Sequence, residues 1–142
     1  MARRVVLDAN IALSLFLRLP YSEHAEKLMQ RLRMEEADIF IPALWEYECL
    51  TALRKAVTQG MIKPEDANQI ISELLELEFE RINPNLTLHR LALHWAERLG
   101  QNKAYDAQYV ALAEKMASEL WSADQRLVKS INLSWAHWVG EE

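Results

Sequence analysis

Four acidic residues stand beside apolar runs rather than inside charged patches. They are Asp8 after Val5-Val6-Leu7, Glu48 in Leu44-Trp45-Glu46-Tyr47-Glu48, Asp106 in Tyr105-Asp106-Ala107-Gln108-Tyr109, and Asp124 in Trp121-Ser122-Ala123-Asp124. A carboxylate next to a core is costly in its charged form unless it finds donors or a cation. Several brought together repel one another, and a divalent cation is the usual remedy. Each acid also has a plainer role when taken singly. Glu48 would pair with a Lys or Arg, Asp106 would cap or complement the first turn of its helix, and Asp124 would cap the helix that follows it. Asp8, just past a buried strand, has the weakest such alternative.

The elements around them must bring the four to one place. Residues 4–7, 38–41, 80–82, 119–122 and 133–138 read as short strands, the first being a β-branched run that ends in Asp8-Ala9-Asn10 and turns into a helix. Between them the apolar spacing predicts helices. Ser22 would cap one running to about 36; others span about 43–59 with Gly60 as C-terminal cap, and from Pro64 with an apolar face of Ile70, Ile71, Leu74, Leu75 and Leu77. Asn85 would start a helix ending at Gly100, a further one covers about 104–118, and Asp124 begins a short one. Strands alternating with helices imply a parallel sheet covered on both faces. Ligands of such sheets collect beyond the C-terminal strand ends, near the switch in strand order. Asp8 and Asp124 would sit on that rim, and Glu48 and Asp106 in helix turns that have just left it.

Helical position also selects among neighbouring acids. Leu44, Glu48, Thr51 and Lys55 share one stripe, beside an apolar arc of Trp45, Cys49, Ala52, Leu53 and Ala56. Glu48 is therefore at the edge of the buried face, while Glu46 points to water.

Composition bounds the rest. The 142 residues fit a single domain spanning 1–142, and 51% hydrophobic with 26% charged residues reads as a packed chain. No apolar run approaches the roughly 18–20 residues of a membrane span, and the N-terminal apolar stretch is broken by Asp8 and Asn10 before it resembles a secretion signal. One cysteine, Cys49, excludes a disulfide framework and a Cys-based zinc cluster, so a cytoplasmic location is expected. A net charge of −5 argues against a nucleic-acid coat protein but not against a nuclease whose acids bind metal. Histidines 24, 89, 94 and 137 lack metal-ligand spacing, and Trp95 and Trp121 fall at core positions. Trp135 and Trp138 are open between core and a dimer or partner surface.

Taken in order, Val-Val-Leu-Asp-Ala-Asn, Pro-x-Leu-Trp-x-Tyr-Glu-x-x-Thr-x-Leu-Arg-Lys, Tyr-Asp-Ala-x-Tyr-x-Ala-Leu-Ala and Ser-Ala-Asp-x-Arg-Leu resemble the PIN-domain family, over residues 5 to about 138. The chain is most similar to its small VapC-like members, the ribonuclease toxins of toxin–antitoxin pairs. The resemblance implies an α/β fold with a central parallel sheet flanked by helices, and Mg²⁺- or Mn²⁺-dependent cleavage of RNA. It puts Asp8, Glu48, Asp106 and Asp124 on the family's acidic, metal-holding positions and Asn10 and Ser122 on supporting polar ones. Thr51 stands where the family often has Asn, and Ser122 where it often has Thr; both retain a hydrogen-bonding group. Homodimers and an antitoxin protein covering the site are also implied.

The chemistry agrees. Phosphodiester hydrolysis needs an activated water and charge relief at the phosphoryl and leaving oxygens, which carboxylate-held Mg²⁺ or Mn²⁺ supplies, as one ion or as two about 3.5–4 Å apart. Asp8, Glu48 and Asp106 are the expected anchors of the principal ion, with Asp124 holding a second or positioning the water. Arg54, Lys55, Lys103 and Arg126 are candidate phosphate contacts. The alternatives are a freestanding PIN nuclease of RNA processing or decay, and an idle PIN-like module that binds RNA or protein. A neighbouring reading frame for a DNA-binding antitoxin separates the toxin from the first. A phosphatase or phosphoacceptor built on Asp8 is disfavoured, because Asp8-Ala9-Asn10 lacks the second Asp such a phosphatase shows.

Overall fold

A computed structural model describes residues 2–101 and 104–142. Five strands of the described residues form one sheet: β1 (Arg4–Leu7), β2 (Asp38–Pro42), β3 (Glu80–Ile82), β4 (Glu119–Ser122) and β5 (Ala136–Trp138). Their order is β3-β2-β1-β4-β5, with every pairing parallel. The chain starts in the centre, builds outward to β3, then crosses back to lay β4 on the other side of β1. The strand order therefore reverses between β1 and β4, and Asp8 and Asp124 follow those two strands.

Among the described residues, seven α-helices connect and cover the sheet: α1 (Ala9–Leu13), α2 (Ser22–Met34), α3 (Leu44–Thr58), α4 (Pro64–Leu75), α5 (Leu86–Leu99), α6 (Tyr105–Lys115) and α7 (Gln125–Ile131), before a 3₁₀ turn at Val139–Glu141. Alternation along the strands sends side chains to two cores. Val5, Leu7 and Trp121 pack with Ala25, Leu28 and Leu32 of α2. Val6, Phe40 and Leu120 pack on the opposite face with α3, α5 and α6. Both faces are covered, as the strand–helix alternation predicts. Buried Ala107, Ala111 and Ala113 let α6 lie close across the sheet. That proximity matters, because α6 carries Asp106.

Several boundaries differ from the periodicity. Ser22 is the first residue of α2, not its cap; Tyr21 holds that position, and the Ser22 hydroxyl instead accepts from the Leu19 N–H at 2.9 Å. The helix stops at Met34 rather than near 36, because Glu36 adopts φ +52°. The helix expected over 104–118 is trimmed to Tyr105–Lys115, and Ala117 turns left-handed at φ +50°. The last strand begins at Ala136, not 133. Local turns at positive φ end elements where the apolar pattern alone would continue them. Asn85 and Asp124 do cap α5 and α7, accepting from the N–H groups of Leu88 and Leu127. Trp135 packs edge-to-face on Trp95 at 6.0 Å, and Trp138 packs against the α2-side core. No helix among the described residues is long and apolar enough to cross a membrane.

Candidate active site

Asp8 leaves β1 and enters α1 with its side chain uncommitted to capping. Its backbone N–H donates to the Trp121 carbonyl at 3.0 Å, pinning the end of β1 to β4. Only 8% of its surface is exposed. One carboxylate oxygen accepts the hydroxyl of fully buried Ser122 at 2.8 Å. Ser122 also accepts the Asp124 N–H at 3.0 Å, while Asn10 accepts the Ala123 N–H at 3.1 Å. These bonds, through Asn10 and Ser122, tie the loop after β1 to the loop after β4. Tyr21 adds an outer tie, donating to the Asn10 carbonyl at 3.1 Å.

Glu48 lies one turn into α3, half-buried, and accepts a hydrogen bond from the hydroxyl of Tyr109 on α6. Glu46 turns outward and pairs with Arg81, as the helical wheel requires. Asp106 sits in the first turn of α6 but makes no cap; its carboxylate accepts from Gln101 Nε2 at 3.2 Å. Asp124 does serve as the α7 cap through Oδ1, at 3.2 Å from the Leu127 N–H, and is exposed. The plainer reading thus holds for Asp124, whose second oxygen is not used by the cap. Among the described residues, no Lys or Arg forms an ion pair with any of the four.

Electrostatics express their convergence. Burial, opposed by the Ser122 hydrogen bond and reinforced by Glu48 and Asp106, pushes the Asp8 carboxyl up to about 7. Burial also raises Glu48, against the Tyr109 hydrogen bond and with repulsion from Asp106. Asp106 rises by burial and by the charge of Asp124. The carboxylates therefore feel one another across the crevice between β1 and β4, as an α/β switch point would have them. Among the described residues, no three His, Cys, Asp or Glu side chains are drawn together tightly enough to form a ready-made coordination shell. The donor chemistry nevertheless fits a hard divalent ion: all-oxygen, anionic, mutually repelling and partly desolvated.

The candidate phosphate contacts scatter. Arg126 is exposed two residues beyond Asp124, on the same rim. Arg54 and Lys55 are exposed but come six and seven residues after Glu48, about two helical turns or roughly 10 Å along α3. They are therefore off the rim where their sequence motif would put them. Lys103 lies outside the described residues. Spacing did not single out Tyr109, since it falls among apolar neighbours on α6 and is fully buried. Its signal was the hydroxyl, which a buried tyrosine has to satisfy.

Comparison with known proteins agrees with this architecture. Ribonuclease VapC3 of Pyrobaculum aerophilum is 28% identical over 127 residues, covering 89% of this chain and 93% of that protein. The crystal structure of PAE2754 from the same organism superposes with a TM-score of 0.71 at 24% identity, over 99% of this chain and 94% of that one. A toxin–antitoxin complex from Klebsiella pneumoniae contains a chain of the same fold, with a TM-score of 0.67 at 16% identity and coverage of 94% and 95%. Residues 5–130 match the PIN domain, a span that holds β1 to β4, the crevice and all four acids, and the chain belongs to that family.

Proposed function

We propose that the protein is a Mg²⁺- or Mn²⁺-dependent endoribonuclease and the toxin half of a toxin–antitoxin pair. The observation that carries this reading is Asp8: a buried carboxylate held by Ser122 and crowded by Glu48 and Asp106. Such a group needs a cation to stay ionised at neutral pH. Asp8, Glu48 and Asp106 would hold the principal ion, each already steered by a neutral donor rather than neutralised by a basic one. Ser122 orients Asp8, Tyr109 orients Glu48, and Gln101 orients Asp106. Asp124 keeps its cap through one oxygen and offers the other to the attacking water or to a second ion. When bound, the ion supplies charge relief at the phosphoryl group and a water that ionises near neutral pH. Of the candidate cations among the described residues, Arg126, beside Asp124, is the one placed to meet an RNA phosphate. The family supports nuclease chemistry, and the kinship with a protein named as a ribonuclease supports RNA as the substrate. A structural neighbour captured as a toxin–antitoxin complex supports an antitoxin partner.

Purified protein should cleave RNA with Mg²⁺ or Mn²⁺, stop in EDTA, and lose activity as Asp8→Ala. Cleavage in EDTA, or at full rate by that variant, overturns the mechanism. Expression should arrest growth unless the product of an adjacent antitoxin frame is supplied. Growth indifferent to expression would leave a freestanding nuclease as the better reading.

A further inference from the structure

Near the starts of α3 and α6 one pair recurs, a tyrosine immediately before the acid: Tyr47-Glu48 and Tyr105-Asp106. Successive helical residues point about 100° apart. Each helix therefore turns its acid toward the crevice and its tyrosine toward a neighbouring space on the same rim, beyond β2 and β3. That space is a cavity of about 240 Å³, walled by Leu44, Ile82 and both tyrosines, with Gln108 and His89 as polar lining. Tyr47 is 66% exposed and Tyr105 57%, an unusual outlay of aromatic surface beside a cluster of acids. Neither ring is needed for the core.

We infer that this cavity is a nucleobase subsite, seating one unpaired base of the RNA next to the phosphate being cut. The inference rests on the nuclease reading above and adds what that reading leaves open, namely what the protein grips besides phosphate. Exposed tyrosine rings are stacking platforms for bases. The Gln108 amide offers both donors and an acceptor, and the His89 imidazole one of each when neutral, which suits the edge of a base. The cavity's size falls just below the roughly 300–1,000 Å³ of drug-sized ligand sites, which suits a single flat ring system. Because α3 and α6 carry both the acids and the ring walls, a base seated here fixes which phosphate reaches the acids.

The test begins with an oligoribonucleotide spanning a cut mapped in total RNA, and with versions lacking one base at each position in turn. The protein is compared with a Tyr47→Leu, Tyr105→Leu double variant and with the corresponding Phe variant, which keeps the rings. The Leu variant should fold normally and raise KM by about five- to 150-fold, the worth of one stacked base; the Phe variant should not. Deleting one particular base should cost the wild-type protein a similar factor and the Leu variant nothing. Equal penalties at every position in both proteins overturn the subsite while leaving the nuclease reading intact. So does an unchanged KM with lost binding of a partner protein, which would assign the cavity to protein recognition. A wild-type protein that cuts no RNA overturns the nuclease reading itself, and this subsite with it.

Discussion

Asp8 gains in stability terms from protonation, and the sign of that preference sets a pH profile. Its carboxyl titrates from about 3.8 unfolded to about 7 folded, chiefly because it is buried. Between those values the native state binds more protons than the unfolded chain, so stability falls as pH rises across the window and stays low above it. Glu48 and Asp106 shift in the same direction and add to the effect. Glu119, lowered by Arg3, acts oppositely, but only below its ordinary range. Metal-free protein should therefore melt at lower temperature near pH 8 than near pH 5.5. Asp8→Asn should narrow that gap, and Mn²⁺ should restore the pH 8 melting temperature of the wild type alone. A flat profile in calorimetry contradicts the crowding of the acids. Tyr109 is the other residue to probe. Burial and the nearby acids raise its hydroxyl well above the usual range, so it stays a donor to Glu48. Tyr109→Phe should cost about 1 kcal/mol of stability and lower Mn²⁺ affinity about ten- to hundredfold, as loss of a ligand-orienting group does. Unchanged affinity by titration calorimetry would make Tyr109 a packing residue alone.

At the scale of elements, the crevice depends on the loops after β1 and β4 being tied together. Ser122 is the knot, donating to Asp8 and accepting from the Asp124 N–H. Ser122→Ala should destabilise by about 1–3 kcal/mol in urea unfolding, since it strands a buried carboxylate. Ser122→Thr, which keeps the hydroxyl, should cost much less. A negligible loss for the alanine variant would mean the loops are held by Asn10 alone. Asp124 separates two roles that share one side chain. Asp124→Ala should lose the α7 cap and about 1 kcal/mol, while Asp124→Asn keeps the cap within about 0.5 kcal/mol. If both lose RNA cleavage equally, charge at Asp124 serves the chemistry; if the asparagine variant is fully active, Asp124 is a cap and nothing more. The first strand was readable as a short β-branched run ending in a turn signal, and the choice of Glu48 over Glu46 followed from the helical wheel. The ends of α2 and α6 were not, because they are set by left-handed turns at Glu36 and Ala117, residue types that carry no such signal.

For the whole molecule, a parallel sheet that starts in its centre and builds outward on both sides creates one crevice, at β1 and β4. Strand order is not written in local periodicity, so that crevice was predicted only as a rim. The pairings between the acids and their neutral donors were beyond reach for the same reason: Tyr109 meets Glu48 across 61 positions, and Ser122 meets Asp8 across 114. Such contacts exist only once the sheet has closed. The acids in this crevice are proposed to make it a metal-dependent RNA-cleaving site. Asp106 is the residue to test, because it is an acid that is half-buried and makes no helix cap. Cleavage of RNA by Asp106→Asn should be measured at saturating Mn²⁺ beside the wild type, with circular dichroism on both. A loss on the order of a hundredfold or more with an unchanged fold is expected, above the range for groups that only orient a ligand. Full-rate cleavage, or a variant that unfolds, would contradict it.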